Sequence, residues 1–172
     1  MFLKDELVTY SASGVCTVNG TMENRVKGVK KQYLVLKPVF DANSLIYVPL
    51  DNEQLVGRIK RVMSREDIIS LIKSLPGSEP EWIDDEIERG IYFKSVIKRG
   101  DRKELMQILR ALYLHKQAQT ESGRKFHSSD ERFMKEAEHI VFEEFAVVLN
   151  ISPEEVPEYI SVSLDKASGE GA

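Results

Sequence analysis

Hydrophobic positions change period part-way along the chain. Through residue 62 they fall in short runs with an approximate two-residue alternation, over 7–10, 15–22, 31–39, 45–49 and 58–62, each enriched in Val, Tyr, Ile or Thr. Turn chemistry lies between the runs, at Ser13-Gly14, at Asn24 with Gly28, and at Asp41-Ala42-Asn43, while Gly20 inside a run predicts a bulge that curls a small sheet. Five short strands closing on themselves leave few exposed edges, so residues 1–62 are expected to form a small β-barrel. About 60 residues is marginal for an independent fold, so the barrel is expected to lean on the segment C-terminal to it.

From Ser64 the period lengthens to about 3.6 residues. Ile68, Leu71, Ile72 and Leu75 share one helical face behind a Ser64 N-cap, and Leu75-Pro76-Gly77 ends that helix. After the loop 77–81, Trp82 is expected to open a second helix in which Ile83, Ile87 and Ile91 recur four apart, ending at Gly100; Gly90 weakens it by about 1 kcal/mol relative to Ala. A third helix from Asp101 to about 119 puts Leu105, Ile108, Leu109 and Leu112 on one stripe. Ser128 with Glu131 matches a capping box for a fourth helix to about 150, with Phe133, Ala137, Ile140, Val141 and Val148 inward. Ser152 with Glu155 and Pro153 opens a last helix that Pro157 is expected to interrupt early. The expected fold is therefore α+β: a barrel over 1–62, an all-helical domain of about five helices over 63–165, and a disordered tail over 166–172.

Charge sharpens the division. Residues 1–61 carry 9 basic and 6 acidic side chains, the remainder 15 basic and 22 acidic, so two surfaces with different partners are expected. Cys16 is the only cysteine, which suits a fold held by packing in a reducing compartment. No apolar signal core opens the chain and no run of 18 uncharged apolar residues occurs, so a cytoplasmic protein without a membrane partner is expected.

Enzymatic signatures are missing. Residues 14–20 have neither phosphate-binding glycine spacing, so no nucleotide cradle forms. Glu136 and His139 have Glu-x-x-His spacing, but a di-metal bundle needs a second such motif, and a solvated helix face accounts for them. His115 and His127 lack ligand partners at metal spacing. A non-enzymatic protein with no cofactor, metal or small-molecule substrate is expected.

Three features suit binding. Strands 32–36 and 45–49, with Arg25, Lys27, Lys30 and Lys31 nearby, read equally as a basic edge for an acidic protein partner or as an ordinary charged loop. Lys94, Lys98, Arg99, Arg102 and Lys103 gather around Gly100-Asp101, as a phosphate-binding cluster or a charged helix junction, and Arg124-Lys125 could extend the same surface. Trp82, the sole tryptophan, is placed either to stack on a base or to staple its own helix.

In order along the chain, Val8, Tyr10, Gly14-Val15, Gly28, Gln32-Tyr33-Leu34-Val35-Leu36-Lys37, Val48-Pro49, Asn52, Trp82, Gly100-Asp101, the 108–113 run, Asp130-Glu131 and the stretch 137–146 resemble the CarD family of bacterial transcription regulators. The resemblance spans residues 2 to about 164. It implies a Tudor/SH3-like barrel that binds the β subunit of bacterial RNA polymerase, and a helical domain that reaches promoter DNA at the upstream edge of the transcription bubble and stabilises the open complex. The tryptophan matched by Trp82 acts in similar proteins as a wedge at that edge. Asn24 and Tyr47 match polymerase-contacting positions where the family typically has arginine; Arg25 is expected to substitute for the first, with Lys27 and Tyr33 completing the set. The barrel also resembles the polymerase-binding module of transcription-repair coupling factors, whose motor motifs do not occur in this sequence. Where CarD-like proteins carry a basic run after the tryptophan, this chain has Asp84, Asp85 and Glu86, which repel DNA. The longer spacing to Gly100 is expected to shift the phosphate-facing role to Arg89, Lys94 and Lys98, with Arg99, Arg124 and Lys125 in support. The competing expectation is a protein-protein adaptor on polymerase that does not touch DNA.

Overall fold

A computed structural model describes residues 1–170 and divides the chain into two compact units, Met1–Val62 and Met63 onward. In the first unit, strands β1 (Leu7–Tyr10), β2 (Val15–Val26), β3 (Val29–Pro38), β4 (Ile46–Pro49) and β5 (Ile59–Arg61) form one antiparallel sheet in the order β4-β3-β2-β1-β5. Its outer strands β4 and β5 are not hydrogen-bonded to each other, so the sheet is an open, curled ladder rather than a closed barrel. Curling lets one face bury Val8, Cys16, Val18, Leu34, Leu36, Val48 and Ile59 together. The expected irregularity at Gly20 is present: the β2–β3 register shifts between Val18 and Gly20, and Gly20 has φ +110°.

Strands β2 and β3 run further than their hydrophobic pattern predicts. The turn is not at Asn24, which pairs with Lys31 inside the ladder, but at Lys27-Gly28, whose φ angles of 52° and 80° are both positive. Two left-handed residues make the tight connection that suits strand twist. Between β4 and β5 the pattern also misses a short helix, α1 (Glu53–Val56). The Asn52 side chain caps it by accepting from the Leu55 amide at 3.1 Å, and Leu55 and Val56 lean on the sheet's core.

The second unit is built from the helices α2 (Arg65–Ser74), α3 (Glu86–Arg99), α4 (Arg102–Glu121), α5 (Ser128–Leu149) and α6 (Val156–Glu170). Ser64 caps α2 as expected, accepting from the Asp67 amide at 3.1 Å, and Ile68, Leu71, Ile72 and Leu75 are buried. Leu105, Ile108, Leu109 and Leu112 on α4, with Phe133, Ala137, Ile140 and Val141 on α5, complete the same core. Gly100, at φ +67°, closes α3, and Asp101 opens α4 by accepting from the Glu104 amide at 2.9 Å. Glu144 is fully buried on α5; it accepts from the Met63 backbone amide at 2.9 Å and pairs with Arg102.

Four helix expectations are corrected. Helix α3 starts at Glu86, capped by Asp85, so Trp82 stands in the preceding loop. Its inward residues are Arg89, Phe93, Val96 and Ile97, whereas Ile87 and Ile91 are 76% and 64% exposed. The N-cap of α5 is His127, because Ser128 is already helical and Glu131 pairs with Lys116 at 3.1 Å instead of completing a capping box. Pro157 does not interrupt α6. It lies in the first turn, where no intrahelical amide partner is needed, after the Ser152–Glu155 capping box and a 3-10 turn over Pro153–Glu155. The tail expected to be disordered from 166 is helical through Glu170; residues 171–172 of that expectation lie outside the described residues. Among the described residues, no helix is long and apolar enough to cross a membrane.

Candidate functional site

In the first unit, the ladder register sorts the polymerase-contact candidates. Tyr33 pairs with Met22 on one side and Pro49 on the other, Val35 pairs with Tyr47, and Asn24 pairs with Lys31. Successive residues of a strand point to opposite faces, so Asn24, Tyr33 and Tyr47 share the face away from the apolar core, with Met22 and Lys31. Tyr47 is 48% exposed on β4, an outer strand. Lys31 is anchored there by Asp51 at 3.3 Å.

Arg25 departs from its expected place. One residue beyond Asn24, it pairs with Lys30 and projects from the opposite face, so it does not occupy the Asn24 position. The Asn24 carboxamide oxygen instead accepts from the Arg25 amide at 2.8 Å. Lys27 is in the turn, at the tip of the hairpin. Structure thus joins Asn24, Tyr33 and Tyr47 and separates Arg25 and Lys27 from them.

In the second unit, the expected DNA-facing residues divide between two sides of α3. Arg89 is only 3% exposed. Its Nε donates to Asp130 Oδ1 at 2.9 Å and its Nη2 to Oδ2 at 2.8 Å, while Nη1 donates to the Ile83 and Asp84 carbonyls at 2.9 and 3.1 Å. The guanidinium is committed inside the protein, which overturns its expected role on DNA phosphates. Burial of an arginine is tolerable here because a bidentate carboxylate and two carbonyls replace water.

Trp82 packs over this arrangement. Its ring lies parallel to His115, with centroids 3.8 Å apart and planes 11° apart, and meets Phe93 edge-on at 6.1 Å. The Arg89 guanidinium carbon is 4.9 Å from the indole centroid. Burial lowers the His115 pKa, and the charges of Arg89 and His127 add to that, against the opposing pull of Asp130 and Asp84. Phe126 lies beside His115 at 6.3 Å, which fastens the loop carrying the exposed Arg124 and Lys125 to the same aromatic cluster.

Lys94 and Lys98 stand elsewhere. They come five and nine residues after Arg89, so at 100° per residue they project well round the helix from it, on an exposed stripe with Ile87 and Ile91. Arg99, at the end of that helix, pairs with Glu104 at 2.9 Å. The acidic residues Asp84, Asp85 and Glu86 are exposed beside Trp82. Asp85 caps α3, and Glu86 accepts from Ser129 Oγ at 3.0 Å. A separate groove of about 260 Å³ lined by Leu109, Tyr113, Phe142, Ile160 and Leu164 carries none of the expected residues.

The sequence does not point to His115 or Asp130 as partners of the site. Asp130 reads there only as a helix start, and no spacing rule connects either residue to Trp82 or Arg89.

Residues 2–63 match the profile of the CarD-like/TRCF RID domain. The N-terminal unit is a CarD-like/TRCF RID domain. The match is to a domain of transcription-related proteins that interact with RNA polymerase, and the RID family is a non-enzymatic interaction domain. It ends where the RID unit ends, at the start of α2, so the helical unit stands outside it. No curated protein matches the chain.

Proposed function

We propose that this chain is a cytoplasmic bacterial transcription regulator that docks on the RNA polymerase β subunit through its RID unit and contacts promoter DNA at the upstream edge of the bubble through its helical unit. The RID match over residues 2–63 carries the first half. Asn24, Tyr33 and Tyr47 on one outward face, beside the free edge of β4, are the proposed contact, since an outer strand offers backbone groups and two aromatic rings add contact area. Lys27 lies at the hairpin tip, and Arg25, on the opposite face of the sheet, stands outside this contact.

The DNA half rests on charge and on Trp82. Lys94, Lys98, Arg124 and Lys125 are exposed cations suited to phosphate, and Trp82 is the aromatic available for a base at the edge of melted DNA. Arg99 supplies less because Glu104 partly neutralises it. Stabilising the open complex would result from holding the fork in its melted form.

A second reading is favoured by a specific observation. Arg89 is buried, Trp82 is stacked within the protein, and Asp84, Asp85 and Glu86 are exposed beside it, which suits an adaptor that binds polymerase without touching DNA. Retention of forked promoter DNA by polymerase, with and without the chain, over a salt series separates the two. DNA contact gives added retention that weakens with salt; an adaptor gives none.

A further inference from the structure

We infer that His115 is the positioning residue for Trp82, and that it holds the indole in a stowed state from which the ring must be released before it can stack on a nucleobase. This deepens the DNA-contact reading above and rests on it. Stacking on a base needs a free ring face. In the structure the imidazole of His115 lies parallel to the indole at 3.8 Å, which is van der Waals contact across a face. The Arg89 guanidinium also covers the ring, 4.9 Å from its centroid, and Phe93 closes on it from the edge.

Loop chemistry makes release a local event. Trp82 belongs to the segment 75–85 between α2 and α3, which has no regular structure and turns at Gly77, at φ +77°. The segment is tied down at a few points: Glu79 to Arg110, and the Ile83 and Asp84 carbonyls to Arg89 Nη1. Arg89 is itself held by Asp130, so it fixes the base of the loop whether or not the indole is in place. His115 differs from Arg89 in this respect. Its ring nitrogen Nε2 is 3.0 Å from the Gln119 amide nitrogen one turn along α4, and its stack falls on the indole rather than on the loop backbone. Removing the imidazole therefore takes away the stacked partner from the indole face, leaving the Phe93 edge contact and the Arg89 anchor intact.

Because Trp82 is the only tryptophan, its fluorescence reads the stack directly in the full chain. The experiment compares wild type, His115→Ala, His115→Phe and Trp82→Ala by acrylamide quenching of the free protein and by retention of a forked promoter duplex on RNA polymerase. His115→Ala is expected to be more readily quenched and to hold the forked DNA about three- to tenfold more tightly, the factor by which loss of one aromatic stack shifts an equilibrium. His115→Phe keeps a ring over the indole and is expected to behave as wild type. Unchanged quenching in His115→Ala, or retention equal to or weaker than wild type while Trp82→Ala still weakens it, overturns the inference. If alanine unfolds the helical unit, as circular dichroism would reveal, His115→Leu, which keeps bulk without a ring, carries the same expectations. Retention unaffected by Trp82→Ala overturns the base-contact reading itself and with it the stowed-wedge role, while the quenching comparison still decides whether His115 positions the ring.

Discussion

Arg89 and Asp130 join the start of α3 to the start of α5 through two parallel hydrogen bonds, at 2.9 and 2.8 Å, with both side chains almost fully buried. Removing one partner leaves the other as an uncompensated buried charge. Arg89→Ala or Asp130→Ala should therefore destabilise the helical unit by about 3–5 kcal/mol, measured by urea unfolding. Arg89→Lys should recover little of this, because an ammonium cannot make the bidentate pair and also reach both loop carbonyls.

Gly90 offers the opposite sign. An added Cβ would meet the Phe133 ring at 3.7 Å, an ordinary contact, and Gly90 lies inside α3. Gly90→Ala should stabilise the chain by about 0.5–1 kcal/mol through helix propensity, seen as a raised urea midpoint with unchanged slope.

On the exposed stripe of α3, Lys94→Glu with Lys98→Glu should leave stability within about 0.5 kcal/mol of wild type, as is usual for surface positions. The same pair should weaken retention of promoter DNA and reduce its dependence on salt by roughly one to two phosphate contacts. Unaltered retention would favour the adaptor reading.

The Trp82–His115 stack gives a pH expectation. Burial, with the nearby charges of Arg89 and His127, holds the His115 pKa below its ordinary value of 6.5 despite Asp130 and Asp84. A depressed imidazole pKa means that the unfolded chain takes up the proton first. The small contribution of this group to stability is thus present above pH 6.5 and lost as pH falls through the folded-state value. An imidazolium against an indole quenches its emission, so Trp82 fluorescence should drop with a midpoint below pH 6.5, and His115→Phe should abolish that step.

Much of the fold is legible in the sequence because alternation and 3.6-residue periodicity arise directly from the residues each face buries. Ile68, Leu71 and Ile72 on α2 and Leu105, Ile108 and Leu112 on α4 are core residues as their spacing predicts. On α3 the same spacing rule selects the wrong face. Ile83, Ile87 and Ile91 recur four apart, but the inward stripe runs through Arg89, Phe93, Val96 and Ile97. A buried arginine is invisible to hydrophobic periodicity, because its burial is made tolerable by Asp130, 41 positions away in the sequence. The spacing of Phe93, Val96 and Ile97 is the available signal for the true face. The β2–β3 turn is obscured for a similar reason. Lys27 adopts a left-handed conformation without being glycine, and Asn24 is the more usual turn residue.

Binding of the full chain to a polymerase β-subunit fragment, compared between wild type, Tyr47→Ala and Trp82→Ala, tests the polymerase-docking role most directly. Tyr47 is 48% exposed on the outer strand β4, outside the buried cluster of the sheet, so its loss should remove contact area without unfolding the RID unit. Wild type and Trp82→Ala are expected to bind alike, and Tyr47→Ala at least tenfold more weakly, roughly 1.4 kcal/mol or more. No binding by the wild type, or binding lost with Trp82→Ala and kept with Tyr47→Ala, would contradict that role.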